Sequence, residues 1–559
     1  MIFFTRSRRL LLGMLFLVAS CAQPVRATTP PAATRADAER DPILRAMLTE
    51  LDRSKAQLQL KGFEKPFFIE FRLLDLDRFE TRAAYGASLS AQRTRQRAVR
   101  VTVLVGDYKT DSSSPRGEGD VGLSSIDDDA VALRSALWNA TDKAYKQALA
   151  AYAQKQAALK QVQTPPQADD FSHQQPVVSL AEPLKLEIDQ NGWAERVTRS
   201  TGLYRTDPAL TGFAPDLRYS FGSFVAQTSN VWLVNSEGTI VRKTQPSYQQ
   251  TIAVGAQAPD GMDLARSYAS NGPSLKDLDT ETEFARHTAG LIQSLDALRR
   301  APLVEEEYHG PVLLSSDAAT DTVEALIGGA VTATRPNLGT EARTNGPFAS
   351  SLHARVLPAF LDAVDDPGLT SFNGHGLLGA YQIDDEGVPA QAVPLIKEGR
   401  LENFLIGRQP IRDFPASNGH GRAGLVGPAR PAQGVLKVTS SEGKTDAELN
   451  QKLQAMVKDR GLKSAYVVET MGGNLVPRLI YKLAPDGART LVRGAALDDL
   501  DQRALRSSIA AAGKDLFVSN SLQADAPQTT LAPVLLFEDL TVKRANEKND
   551  RLPFYPPPE

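Results

Sequence analysis

Residues 373–422, in the second half of the chain, read NGHGLLGAYQIDDEGVPAQAVPLIKEGRLENFLIGRQPIRDFPASNGHGR. It opens and closes on the same tetrad, Asn-Gly-His-Gly, beginning at Asn373 and again at Asn418. Between the tetrads apolar and polar residues alternate, interrupted by two Gly-bearing turns, Asp384-Asp385-Glu386-Gly387 and Lys397-Glu398-Gly399-Arg400. Alternation with a period of two, bounded by such turns, predicts an antiparallel β-meander. Two of the six histidines, His375 and His420, stand at its ends.

Three readings of those histidines are open. A histidine between glycines suits a positive-φ turn with its ring in water. Two of them can instead converge on a metal with Asp384 or Glu386, or contact a substrate or partner along the meander. The acidic triplet itself reads as a solvated hairpin tip.

Working outward, the second half carries further strand signals at Pro311–Leu314, Gln433–Thr439, Ala465–Glu469, Arg478–Leu483, Thr490–Val492, Val534–Leu536 and Leu540–Val542. A helix opens on the capping box Thr445-Asp446-Ala447-Glu448 and stops at Gly461. In the first half, Asp41-Pro42 caps a helix whose Leu44, Met47, Leu48 and Leu51 share one face. Strands are expected at Phe67–Leu73, Arg97–Val105, Arg218–Gln227, Val231–Val234 and Tyr248–Val254, with helices over 127–163 and 280–300. Trp138, Tyr145, Tyr152 and Leu159 recur along the longer helix and predict a core-facing stripe.

At 559 residues, 42% hydrophobic and 23% charged, the chain is long enough for two or three soluble domains. Its formal net charge of −3, without a basic patch, argues against a nucleic-acid partner. A single cysteine, Cys21, excludes a disulfide framework, a thiolate-rich metal site and a cysteine nucleophile in the folded body. Arg6, Arg8 and Arg9 precede the apolar run Leu10–Ala19, the pattern of an export signal. Val18-Ala19-Ser20-Cys21 resembles a bacterial lipobox, which implies lipidation at Cys21; Val25-Arg26-Ala27 is a competing cleavage site that would release a soluble protein. The expected location is the cell envelope, on its periplasmic side.

Spacing alone gives little chemistry. No two histidines lie three or four residues apart, no G-x-S-x-G elbow occurs, and Gly443-Lys444-Thr445 lacks the upstream glycine of a phosphate-binding loop.

Asp365-Asp366-Pro367, the run Gly379–Gln391, Leu395–Leu401 and Ser417–Arg422 resemble the TldD/PmbA family, also called modulators of DNA gyrase or microcin-processing peptidases. The resemblance extends through 467–473, 481–494 and 534–542, and is weaker before residue 301. It implies a mixed α+β fold: an N-terminal α/β-type part over 41–300 and a largely antiparallel β C-terminal domain over 301–545. Residues 1–20 would be the signal, 21–40 a tether and 546–559 a Pro-rich tail. The family's catalytic subunit carries zinc on an H-E-x-x-x-H helix and a later cysteine, and pairs with a homologue lacking both. The corresponding helix here, Asp317–Gly329, holds no histidine, and the late cysteine is missing. The resemblance therefore implies the PmbA (TldE)-type partner: no metal or catalytic residue of its own, zinc in a TldD-like protease homologue, and an extended peptide as substrate. His375, Asp385, Glu386, His420 and Arg422 are the expected substrate or partner contacts. The alternative is a stand-alone peptide-binding protein of the cell envelope.

Overall fold

The computed structural model describes residues 33–113, 119–163, 168–424, 426–522 and 526–546. Cys21, the export signal and the Pro-rich tail after residue 546 lie outside the described residues. Within the stretch expected as a tether, Arg35–Ala38 (α1) forms one helical turn closed by a Thr34–Asp37 capping box.

The first half is built on one sheet. Helix α2 (Pro42–Gln57) starts where the Asp41 carboxylate accepts from the Ile43 and Leu44 amides, with Pro42 in the first turn. Strands β1 (Pro66–Ala84) and β2 (Ala87–Val105) form a long hairpin, followed by β3 (Asp120–Ser124) and helix α3 (Ala130–Leu159). Then come β4 (Val178–Leu180), α4 (Gln190–Thr206), β5 (Leu217–Asn235), β6 (Ile240–Gln257), β7 (Asp263–Gly272) and α5 (Glu281–Arg300). The strand order is β3-β2-β1-β5-β6, and the outer edge of β6 is shared by β4 and β7. Alternation along β1, β2 and β5 puts Phe71, Leu73, Val99, Val101 and Trp232 into a core under α2 and α3. A second core lies between β6, β7 and α5, whose Phe284, Leu291, Ile292, Leu295 and Leu298 are buried. The aromatic stripe of α3 is only partly a core stripe. Tyr145 is 1% exposed, its hydroxyl donating to the Glu64 carbonyl at 2.5 Å, whereas Trp138 is 55% exposed. The buried face is set by the small residues Ala140, Ala144 and Ala148, which let the helix lie close to the sheet.

The second half opens with β8 (Tyr308–Leu314) and α6 (Asp317–Val323), which runs into a π-turn at Glu324–Gly328. Short strands come next: β9 (Leu361–Asp365), β10 (Ser371–Phe372), β11 (His375–Gly376), β12 (Val393–Lys397), β13 (Arg400–Leu401), β14 (Gly421–Arg422) and β15 (Arg430–Pro431). After them are β16 (Val435–Ser440), α7 (Asp446–Asp459), β17 (Ala465–Gly472), β18 (Val476–Leu483), β19 (Arg489–Val492) and β20 (Ala495–Leu497). Helix α8 (Gln502–Ser507), β21 (Ile509–Ser521) and β22 (Gln528–Arg544) complete the fold. The sheet runs β13-β12-β9-β16-β22-β8-β17-β18-β19, with β20 and β21 also paired to β22. It is mostly antiparallel; β16–β22 and β8–β17 are parallel pairs.

The expected meander over Asn373–Arg422 is replaced by short hairpins and irregular chain. Pro389, Pro394, Pro410 and Pro415 cannot donate to a ladder. Acidic side chains take the backbone donors instead: Asp384 accepts from the Glu386, Val388 and Gly421 amides at 2.8–2.9 Å, and Asp385 from Ala423 at 2.8 Å. The triplet is not a solvated hairpin tip. Asp384 is fully buried.

Candidate functional site

A cleft of about 920 Å³ lies where β7, α6, β17, β21 and the first Asn-Gly-His-Gly tetrad meet. Every residue of β7 from Ala265 to Asn271 lines it. A strand presenting its face would contribute alternate residues, so this unbroken run is the strand's edge. Among the described residues β7 pairs only with β6, and β21 with β22 apart from a single bridge between Gly513 and Lys444, outside the cavity lining. Two strand edges without a second strand partner therefore border one cavity.

Local sequence explains the placement. Ala318, Ala319 and Thr322 of α6 are fully buried, and their small size lets the helix sit against β17, β21 and β22. Asp317 and Asp321, four apart and on one face, are left toward the cleft. Asn373 (φ +49°) and Gly374 (φ +85°) make the two-residue turn of the β10–β11 hairpin, which carries His375 to the cleft wall. Asn520 ties the parts together. Its carbonyl accepts from Asn271 Nδ2 at 2.9 Å, its Nδ2 donates to the Gly376 carbonyl at 3.0 Å, and its Oδ1 accepts from the Leu378 amide at 3.0 Å.

The electrostatics are predominantly acidic: Asp277, Asp279, Asp317 and Asp321 face Arg266 and Arg478. Burial, then the charges of Asp317 and Glu324, push the Asp321 carboxyl up to about 7. Burial also raises Asp317, with Arg266 pulling the other way. Arg266 is held by Thr470 Oγ1 at 2.6 Å and Ser294 Oγ at 3.2 Å. The Asp279 carboxylate receives the Tyr268 hydroxyl at 2.9 Å and lies 2.8 Å from His287 Nδ1.

Of the five residues expected to contact substrate or partner, His375 alone lines this cleft. Asp385 lines a separate pocket with Arg72 and Lys243. Burial alone would raise the Asp385 carboxyl, but Lys243 at 2.7 Å, Arg422 and Arg72 bring it down to about 2. His420 is fully buried, with Nε2 3.2 Å from Asp365 Oδ1 and Nδ1 3.1 Å from Asn418. Arg422 stacks 4.1 Å over Tyr381. Glu386 accepts from the Arg408 amide at 2.6 Å, and a Cβ on Gly407 or Gly421 would land on its carboxylate. The second tetrad thus owes Gly421 to close packing and Gly419 to its positive φ (+76°), not to an exposed ring.

Asp321, Arg266, Asp279 and Asn520 were not expected from the sequence. The one available signal was Asp317-x-x-x-Asp321 on a helix otherwise filled with small residues. Zinc does not fit this helix. The helix presents Asp317, Thr320 and Asp321 to the cleft, with no nitrogen or sulfur donor, and among the described residues no group of three or more His, Cys, Asp or Glu side chains is arranged to hold a metal ion.

Residues 306–544 match the family profile of the PmbA/TldA metallopeptidase C-terminal domain. The fold resembles that of a protein from Thermotoga maritima described as a modulator of a DNA gyrase, with a TM-score of 0.57 and 16% identity over 89% of this chain and 100% of that one. It also resembles TldE from Thermococcus kodakarensis, at 0.57 and 13% identity over 89% and 100%. A described modulator of DNA gyrase from Bacteroides thetaiotaomicron gives 0.55 and 12% over 89% and 98%. No curated protein matches the sequence. At these identities the structural likeness is one of fold.

Proposed function

From the chain's membership of the TldD/PmbA family, carried by its metallopeptidase-type C-terminal domain, we propose that it is the non-catalytic, PmbA-type partner of a zinc protease and binds extended peptides in the cleft. The observation that carries this reading is the free edge of β7 forming one wall of the cleft. An extended peptide adds to such an edge through its backbone, with side-chain pockets supplying selectivity. Asp317 and Asp321 would receive a basic side chain, and Arg266 and Arg478 a carbonyl or carboxylate. The helix that begins at Asp317 lacks the donor set for zinc, so the chain holds the peptide and the partner cleaves it. TldE, whose fold it shares, is the homologue type expected to pair with a TldD-like protease. The protein is exported and acts at the cell envelope, held by lipid on Cys21, a reading supported by the charged n-region, the apolar run and the lipobox-like residues 18–21.

Affinity purification of the full chain, without added metal, tests the pairing. A zinc-bearing TldD-like homologue is expected to co-purify and to supply the peptidase activity. Peptide cleavage by the chain alone would overturn the assignment, and recovery of a strict monomer from cells containing such a homologue would favour the stand-alone binding protein.

A further inference from the structure

A second cavity, of about 460 Å³, lies between α4 and α5 over β6, lined by Leu203, Phe284, Ala285, Gln250, Arg196 and Arg199. Its walls are largely apolar. Gln250 lines it while 0% exposed, and neither its amide nitrogen nor its amide oxygen has a hydrogen-bond partner among the described residues. Leaving both ends of a buried amide unpaired is costly, and native interiors avoid it unless a ligand or water completes the site. Arg196 adds a second such group. Its Nη2 donates to the Asp279 carbonyl at 2.7 Å and its guanidinium lies 4.5 Å over Trp193, yet its buried Nε has no partner. Arg199 at the rim is neutralised by Glu281 at 2.8 Å, so Arg196 and Arg205 leave the cavity net positive.

We propose that this cavity binds an N-acylated apolar amino acid through its free carboxylate. The groups match one to one. Arg196 Nε and Gln250 Nε2 donate to the carboxylate oxygens, Gln250 Oε1 accepts the neighbouring amide N–H, and Phe284, Leu203 and Ala285 enclose the apolar side chain. The volume falls within the range of small-molecule sites. The site is separate from the peptide cleft, to which it is joined through Asp279: that residue's carbonyl holds Arg196 and its carboxylate lines the cleft.

The probe is N-acetyl-L-leucine, titrated into the full chain by calorimetry, with N-acetyl-L-leucinamide as the control lacking the carboxylate. N-acetyl-L-leucine is expected to bind and the amide to bind at least about tenfold more weakly, the loss of one charge-assisted hydrogen bond. Gln250→Leu should lose binding at least about tenfold while the unliganded protein melts at the same or a higher temperature, since an unpaired amide is replaced by an apolar group. Arg196→Lys keeps the charge but removes Nε–H and should weaken binding of N-acetyl-L-leucine at least about tenfold. No binding of N-acetyl-L-leucine, equal binding of the amide, or unchanged affinity in both variants would overturn the proposal and mark Gln250 as satisfied by water alone.

Discussion

Arg408→Met is the most informative perturbation of how the two halves are held together. Arg408 belongs to the irregular stretch of the second half, yet its guanidinium donates to both oxygens of Glu237, in the β5–β6 turn of the first half, at 2.7 and 2.8 Å. It also donates to the Ser172 carbonyl at 2.5 Å and lies 4.0 Å over Phe171 and 4.9 Å over Phe68. Only 1% of the side chain is exposed. Methionine preserves much of the contact with the two rings and leaves Glu237 without its cation, so the variant should lose about 3–5 kcal/mol, the usual cost of breaking one side of a buried pair. Glu237→Leu alone should cost a similar amount by stranding the guanidinium. The double variant replaces the pair with apolar groups and should lose only about 1–2 kcal/mol, chiefly the Tyr108–Glu237 and Arg408–Ser172 hydrogen bonds. The assay is urea unfolding followed by tryptophan fluorescence and far-UV circular dichroism, whose coincidence tests two-state behaviour. Additive single-variant losses, with no recovery in the double variant, would refute a directly coupled pair at this interface.

The same geometry has other consequences. Asp321 has a folded-state pKa of about 7 against an ordinary 3.8, so the fold favours its neutral form and loses stability as pH rises from about 4 to about 7. Asp321→Asn should therefore be nearly neutral at pH 4 and stabilising at pH 8 by about 2 kcal/mol after allowance for solvent screening, read from denaturation midpoints at both pH values. Four carboxylates against two guanidiniums predict that a lysine-bearing extended peptide binds the cleft more tightly than its glutamate counterpart. The difference should widen as Asp321 ionises between pH 6 and 8 and shrink at high salt, measured by fluorescence anisotropy. Asp384→Ala removes the acceptor of three backbone amides and should lower the melting temperature with a loss of about 3 kcal/mol or more, whereas Asp384→Asn, retaining one acceptor oxygen, should lose less.

The regular elements were legible because their signals are local. Asp41-Pro42, Thr280 with Glu283, and Thr445 with Glu448 cap helices where the sequence places them. The alternation in 97–105 and 218–234 is that of strands buried on one face. The alternation in Asn373–Arg422 points to a meander that the fold does not form, because the order of this stretch comes from partners far away in sequence. Lys243 holds Asp385 and the Ile383 and Asp384 carbonyls, and Asp365 lies against His420. The cleft was hidden for the same reason. Arg266, Asp321, Thr470 and Asn520 belong to four separate segments, and no spacing within any one of them announces a shared cavity. His375 stands at the cleft wall because the Asn373-Gly374 turn carries it to the surface; His420, in an identical tetrad, is buried because Glu386 packs against its glycine neighbour.

On the proposed function, the cleft binds extended peptide without a metal and without cutting it. Chelator-treated full-length protein, titrated with a fluorescein-labelled, lysine-bearing extended peptide and sampled by mass spectrometry at each point, tests this directly. Saturable binding of an intact peptide, competed by unlabelled peptide and weakened in Asp317→Asn/Asp321→Asn, is the expected result. Failure to bind, or release of cleaved fragments by the chelator-treated chain alone, would contradict it.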